Sequence, residues 1–96
     1  MKKPTISVLM PAYNAEYFIS EAIESILVQT FSDFELIVIN DGSTDGTLAE
    51  IQKYAEKDNR VRVFNQKNLG FVPTLNKARL LAQGDIIARM DADDIS

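Results

Sequence analysis

Apolar residues along the chain follow two patterns that alternate from one end to the other. Residues 5–10, 34–40 and 86–90 form short, solidly apolar runs, while the segments between them repeat apolar residues every three or four positions. Solid runs are typical of parallel strands buried on both faces, and the longer spacing is typical of amphipathic helices. The pattern therefore predicts strands and helices in strict alternation.

Three helices are predicted, one after the first apolar run and two between the second and the third, on either side of a further strand described below. Ser43 is a plausible N-cap for the second helix, Pro73 fits the first turn of the third, and Gly84 fits its C-terminal cap. The apolar positions predicted to face the core are Phe18, Ile19, Ala22, Ile23, Ile26, Leu27, Leu48, Ile51, Ala55, Leu75, Ala78 and Ala82.

A further strand, residues 61–64, alternates apolar and polar side chains, which is typical of a strand at the edge of a sheet. The predicted fold class is α/β, with a parallel four-stranded sheet in the order 3-2-1-4, right-handed crossovers and helices on both faces. Because the winding direction reverses at strand 1, a crevice is expected at the carboxyl ends of strands 1 and 4. Residues 1–96 are expected to form one domain.

Composition narrows the possible chemistry. The 96 residues contain no Cys and no His and carry a net charge of −4. A nucleic acid is therefore not expected as a partner, and any metal must be held by oxygen. The longest apolar runs fall well short of the roughly 20 residues of a membrane-spanning helix. We expect a cytoplasmic domain with no transmembrane segment, which in a longer parent protein could be peripheral to the membrane.

Three carboxylates, Asp91, Asp93 and Asp94, follow the last predicted strand. Their mutual repulsion would be relieved by a divalent cation, and hard oxygen ligands favour Mg²⁺ or Mn²⁺ bridged to phosphate. An acidic turn or a helix N-cap is the alternative interpretation. The position of the cluster at the predicted crevice favours the metal site.

Asp41 and Tyr13 follow strands 2 and 1 at the same predicted edge. A carboxylate there could accept a hydrogen bond from a base such as uracil, and a tyrosine ring could stack on the base. A turn-forming Asp and a half-buried aromatic residue are the alternatives. Residues 41–46 also look like the start of an EF-hand loop, but Gln52 stands at its twelfth position, where a bidentate Glu is required.

The phosphate-binding motifs G-x-G-x-x-G and G-x-x-x-x-G-K-[ST] are both missing from the sequence. The amides at the start of the third helix, near Asn68 and Gly70, could approach an anion, or they could form an ordinary turn and cap. The turn is the simpler interpretation for Gly70.

Five segments together resemble the inverting family 2 glycosyltransferases of the GT-A fold, over essentially the whole chain. They are SVLMPAYN at 7–14, SILVQTF at 25–31, FELIVINDGSTD at 34–45, NLG at 68–70 and ARMDADD at 88–94. The family pattern often has Arg where this chain has Leu75, and Gly where it has Ala78.

The resemblance implies roles for individual residues. Mn²⁺ or Mg²⁺ is expected at Asp91 and Asp93. Tyr13 would stack on the donor base and Asp41 would contact it. The residues expected to bind the nucleotide are Pro11, Ala12, Tyr13, Asn14, Glu16, Asp41, Asn68, Gly70, Asn76 and Asp91.

The resemblance also implies an activity, the transfer of a sugar from a nucleotide-diphosphate sugar, expected to be a UDP-sugar, to a hydroxyl with inversion. Cell-envelope polysaccharide is an expected product, and the acceptor in a longer parent would be a saccharide or a lipid-linked or protein-linked group. The catalytic base is expected beyond Ser96. We therefore expect the 96 residues alone to bind donor and metal without turnover.

Two alternatives belong to other functional classes. A non-catalytic nucleotide-binding or assembly module would share the fold without the transfer reaction. A receiver-like signalling domain would also cluster Asp residues around Mg²⁺, but at strands 1 and 3, where this chain has PAYN and NQK instead. An exposed edge at strand 4 also predicts a homo-oligomer.

Overall fold

Four parallel strands form one sheet in the order β3-β2-β1-β4, as predicted. The computed structural model describes residues 4–29 and 33–90, apart from the side chain of residue 71. The elements are β1 (Ile6–Ala12), α1 (Ile19–Leu27), β2 (Phe34–Asp41), α2 (Thr47–Lys57), β3 (Val61–Gln66), α3 (Phe71–Leu81) and β4 (Ile86–Arg89).

The reversal of winding takes place at β1, which pairs with β2 on one side and with β4 on the other. The Met90 N–H donates to the Leu9 carbonyl at 2.9 Å, so β4 runs alongside β1 toward the same edge of the sheet. The carboxyl ends of all four strands therefore point to one edge, which is where ligands bind in open α/β sheets.

Both faces of β2 are buried and those of β1 largely so, which explains the apolar runs of these two strands, whereas all four residues of β4 are exposed. Leu36 and Val38 face α1 and α2, where they join a cluster with residues such as Ile23 and Ile51. Ile37 and Ile39 point to the opposite face and pack with Ala78 of α3. Most of the helical positions predicted to face the core lie in these two clusters, but the prediction for Phe18 is wrong, because this residue is 40% exposed just before α1.

β1 is two residues longer at its carboxyl end than predicted, because it runs through Pro11 to Ala12. Leu9 directs its carbonyl to β4, and Pro11, two residues later, has the same orientation. An N–H at position 11 would therefore point toward the β4 side, where the pairing has already ended at Leu9. Because it would not point toward β2, its absence in Pro11 removes no hydrogen bond from the β1–β2 ladder. Proline thus ends one ladder while the other continues.

Two predicted helix boundaries are wrong. Ser43 does not cap α2, which begins at Thr47 with Gly46 at the N-cap position. The Ser43 hydroxyl instead accepts a hydrogen bond from the Asn14 N–H. Gly84 is not the cap of α3, which ends at Leu81 with Ala82 at the C-cap position. A Cβ at Gly84 would lie 2.9 Å from backbone atoms of β1, so glycine is required there by close packing.

A row of polar side chains crosses the α3 face of the sheet at its amino end. Glu35, only 4% exposed, accepts hydrogen bonds from the Ser7 hydroxyl at 2.6 Å, the Gln83 N–H at 2.7 Å and the Arg62 guanidinium at 2.7 Å. Burial would raise the pKa of Glu35, but these three partners outweigh it and lower the pKa. The buried charge therefore ties β1, β2, β3 and the segment before β4 together.

Replacing Glu35 by Ala should lower the free energy of unfolding by about 2–3 kcal/mol, because Arg62 loses its counter-charge and the Ser7 hydroxyl its acceptor. Urea titration at neutral pH measures this change. Lys53→Ala is the matched control, since it breaks the exposed Lys53–Glu50 ion pair at 2.7 Å and should cost less than about 1 kcal/mol. Equal losses in the two variants would contradict the structural role assigned to Glu35.

Candidate functional site

Three loops meet at the carboxyl edge of the sheet. We name them the Tyr13 loop (residues 13–18, after β1), the Asp45 loop (42–46, after β2) and the Gly70 loop (67–70, after β3). Each loop begins where a ladder of backbone hydrogen bonds stops, so its N–H groups need new acceptors. The acceptors come largely from side chains of the β2 strand end and the Asp45 loop.

Three successive N–H groups of the Tyr13 loop donate to side chains that follow β2. The pairs are Asn14 N–H with Ser43 Oγ at 2.9 Å, Ala15 N–H with Thr47 Oγ1 at 2.7 Å and Glu16 N–H with Asp45 Oδ2 at 3.3 Å. Asp45 in turn accepts from both the N–H and the hydroxyl of Thr47. The first two loops are therefore joined by a continuous set of hydrogen bonds.

Asn14 has a backbone φ of 47°, in the left-handed region where asparagine is one of the few residues tolerated. Its side-chain oxygen accepts a hydrogen bond from the Thr44 N–H at 2.8 Å. The same residue thus turns the chain sharply and holds the Asp45 loop. Tyr13, directly before this turn, remains 51% exposed at the edge of the sheet.

Asp41 holds the Gly70 loop through its carboxylate, although the side chain is only 5% exposed. Oδ1 accepts from Gln66 Nε2 at 2.8 Å and from the Leu69 N–H at 2.7 Å, and Oδ2 accepts from the Gly70 N–H at 3.0 Å. Gln66 also donates to the Thr74 hydroxyl at 2.9 Å. One buried carboxylate thereby fixes the turn that starts α3.

The charge of Asp41 is favoured by these contacts. Burial alone would raise the pKa of Asp41, but the hydrogen bonds from Gln66, Leu69 and Gly70 lower it below the ordinary value. Gly42 allows the close approach of the two loops, because it has a φ of 72° and a Cβ there would lie 2.6 Å from the Asn68 nitrogen. Asp41 is therefore expected to be ionised at neutral pH.

The other residues expected to bind nucleotide are spread around this edge. Pro11 and Ala12 form the last two positions of β1, and the Asn68 side chain donates to the Asp41 carbonyl at 3.2 Å. Glu16 places a carboxylate oxygen against Gly46, only 2.8 Å from where a Cβ would stand. Asn76 is exposed in the second turn of α3 and is not joined to the three loops by these contacts.

The expected metal ligands Asp91 and Asp93 lie outside the described residues, as does Asp94. Within residues 4–29 and 33–90, no group of three Asp, Glu, His or Cys side chains is placed to hold a metal ion. The same part of the chain contains no helix long and apolar enough to cross a bilayer. The oxygen-only ligand set fits Mg²⁺ or Mn²⁺, and β4 directs the chain toward the edge where the three loops meet.

Sequence reasoning missed several residues that build this edge. Asp45 and Thr47 had no assigned role, and Gln66 was not singled out. The spacing of Asp45 and Thr47 is typical of a side chain that accepts from the N–H two residues later, so this local bond could have been found. The bonds to Ala15 and Glu16 depend on two loops meeting in space, which no local pattern indicates.

The chain belongs to the family described as glycosyl transferase family 2, whose model matches residues 7–96. The sheet order and the helices on its two faces are those of the GT-A glycosyltransferases. Among the relatives is an uncharacterized glycosyltransferase of Haemophilus influenzae, 48% identical over 94 residues. The match covers 97% of this chain and 29% of that relative, so the chain spans under a third of its length.

Two similar solved structures contain a nucleotide sugar. A mannosyltransferase from Pyrobaculum calidifontis, in complex with GDP-Man and Mn²⁺, is 28% identical with a TM-score of 0.86 over 97% of this chain and 28% of its own. TarS of S. aureus, in complex with UDP-GlcNAc, is 35% identical with a TM-score of 0.85 over 93% of this chain and 26% of its own.

Replacing Asp41 by Asn should destabilise the protein by about 1–3 kcal/mol at neutral pH, because an amide group would face N–H donors of the Gly70 loop. The wild-type contribution is fully present above the ordinary Asp pKa of about 3.9 and is lost as the pH falls through the lowered native value. The difference between the two proteins should therefore shrink on acidification.

Urea titrations at several pH values below neutral measure this difference. The control is Asp85→Asn, an exposed site where we expect a change within about 0.5 kcal/mol. A penalty for Asp41→Asn that stays constant down to strongly acidic pH would show that the Asp41 charge is not what stabilises the loop.

Proposed function

We propose that this chain is the donor-binding part of an inverting glycosyltransferase that uses a nucleotide-diphosphate sugar, with UDP as the carrier. The observation that carries the proposal is Tyr13, half exposed at the carboxyl edge of the sheet in a loop that hydrogen bonds join to Ser43 and Thr47. Membership of glycosyl transferase family 2 and the GDP-Man and UDP-GlcNAc complexes of similar proteins support it.

The nucleotide base would be held by Tyr13 and Asp41. An exposed tyrosine ring offers a flat apolar face for stacking. The Asp41 carboxylate accepts hydrogen bonds from the Gln66 side chain and from the N–H groups of Leu69 and Gly70, and an N–H of the base would be a further donor to it. The remaining residues of this donor site would be Pro11, Ala12, Asn14, Glu16, Asn68, Gly70, Asn76 and Asp91.

The diphosphate would lie near the end of β4. A divalent cation held by Asp91 and Asp93 would neutralise the charge that develops on the departing nucleoside diphosphate. An acceptor hydroxyl would then displace the diphosphate at the anomeric carbon with inversion. The acceptor, which we propose to be a saccharide or a lipid-linked or protein-linked group of the cell envelope, and the base that deprotonates it would be supplied beyond residue 96, in a cytoplasmic protein.

Tyr13→Ala should weaken UDP binding in the presence of Mn²⁺ about tenfold, because stacking of a base on an aromatic ring contributes about 1–3 kcal/mol. Isothermal titration calorimetry measures the dissociation constant, and Tyr13→Phe, which keeps the ring, should stay close to wild type. Tyr17→Ala is the matched control, because Tyr17 is 87% exposed on the same loop and has no role in the proposal. Equal losses in the two alanine variants would argue against stacking at Tyr13.

Asp93→Asn should remove most of the dependence of UDP binding on Mn²⁺, because the substitution takes away a charged oxygen ligand. The measurement is a comparison of UDP affinity with Mn²⁺ and with a chelator, for the variant and the wild type. Asp85→Asn serves as the control for loss of one negative charge. Metal-dependent binding that survives unchanged in Asp93→Asn would rule out this residue as a ligand.

A further inference from the structure

Thr47, the first residue of α2, connects this helix to the Tyr13 loop through its side chain. Its side chain is fully buried, and its hydroxyl accepts the Ala15 N–H at 2.7 Å while donating to Asp45 Oδ1 at 2.5 Å. A hydroxyl can fill both roles at once, because it has one donor and two acceptor positions. Because Thr47 belongs to α2, the acceptor is built on a regular element.

Tyr13 lies between two stretches of backbone that hydrogen bonds hold in place. On its amino side, Ala12 is buried and paired in register with Asn40 of β2. On its carboxyl side, the N–H groups of Asn14 and the next two residues are held by side chains that follow β2. The backbone of Tyr13 therefore has little freedom, although its ring is half exposed.

An exposed loop N–H commonly donates to water, as those of Asn14 and half-buried Glu16 could, whereas the N–H of Ala15, which is only 1% exposed, needs a protein acceptor. The use of three protein acceptors for three successive N–H groups suggests that this loop is fixed before any ligand arrives. Fixing a binding group in advance lowers the entropy that must be lost on binding. This advantage applies to Tyr13, the exposed residue that directly precedes the three residues whose N–H groups are held.

We propose that Thr47, assisted by Ser43 and Asp45, is a positioning residue that fixes Tyr13 for stacking on the donor nucleotide. The role of Tyr13 in this inference rests on the proposed function. The positioning residues act on the ligand only through the backbone of the Tyr13 loop. Their loss should therefore lower nucleotide affinity without removing any group that touches the nucleotide.

Thr47→Val removes the hydroxyl and keeps the shape, whereas Thr47→Ser keeps the hydroxyl. We expect amide hydrogen exchange at Ala15 to become about tenfold faster in Thr47→Val. Exchange in β2 should change only as much as the free energy of global unfolding does. The affinity of Thr47→Val for UDP with Mn²⁺ should fall about tenfold, which corresponds to about 1.4 kcal/mol of binding free energy. The affinity of Thr47→Ser should stay within about twofold of wild type. Ser43→Ala, at an exposed contact, should give a smaller loss in the same direction.

Ser7→Ala is the control for a general loss of stability. Ser7 is also fully buried and hydrogen-bonded, to Glu35 and the Gly84 N–H, but at the opposite edge of the sheet. This variant should lower the melting temperature as Thr47→Val does and leave UDP affinity unchanged.

The positioning role is overturned if Thr47→Val leaves Ala15 exchange unchanged, if Thr47→Ser is as impaired as Thr47→Val, or if Ser7→Ala weakens UDP binding equally. Absence of UDP binding in the wild-type protein would refute the proposed function instead. In that case the hydrogen-exchange comparison alone decides whether Thr47 holds the loop, and faster exchange at Ala15 would support that part of the inference.

Discussion

Backbone N–H groups that emerge where parallel strands end need acceptors, and meeting this need organises the carboxyl edge of the sheet. Inside the sheet the ladders supply acceptors, but the loops after β1 and β3 have no such ladder. Asp41 accepts the N–H groups of Leu69 and Gly70, while Asp45 and Thr47 accept those of the Tyr13 loop. The end of β2 and the loop after it thus shape both neighbouring loops.

Most of the fold could be predicted because the information is local and repeated. The apolar run of β2 and the helical spacing of α1 and α3 indicate element types without reference to distant contacts. The strand order followed from right-handed crossovers and the alternating pattern of β3. Loop detail was harder. Gly84 was predicted to be a helix cap, but its small size is needed for close contact with β1. Its hydrogen-bond partner there, Ser7, lies 77 residues away in sequence.

The candidate site also combines features that local sequence patterns indicate with features that depend on contacts between distant residues. Tyr13 and Asp41 were predicted as site residues because they directly follow apolar strands, and Asn14 was predicted from the family resemblance. The structure joins the loops after β1 and β2 through Asn14. Ser43 was misassigned and Thr47 overlooked because their partners lie about thirty residues earlier in the chain. A side chain whose function is to hold another loop leaves no local pattern. Only the fold shows what such a residue touches.

The family is named for sugar transfer, and the part in it that we propose for the described residues is binding of the donor. The parallel sheet reverses its winding at β1 and brings the carboxyl ends of its strands to one edge, where hydrogen-bonded loops carry an exposed tyrosine and a buried carboxylate. The remaining chemistry would require groups outside the described residues. This separation is consistent with our proposal that the donor is held at one half of a larger active site.

The most direct measurement is paramagnetic relaxation enhancement of the labelled protein by Mn²⁺ with UDP. We expect strong broadening of the amides of Tyr13, Asn14, Leu69 and Gly70, at the carboxyl edge of the sheet, while the amides of Thr5 and Arg60 at the opposite edge keep their intensity. Broadening centred on Thr5 and Arg60, or spread evenly over the protein, would contradict binding of a cation and nucleotide where the three loops meet.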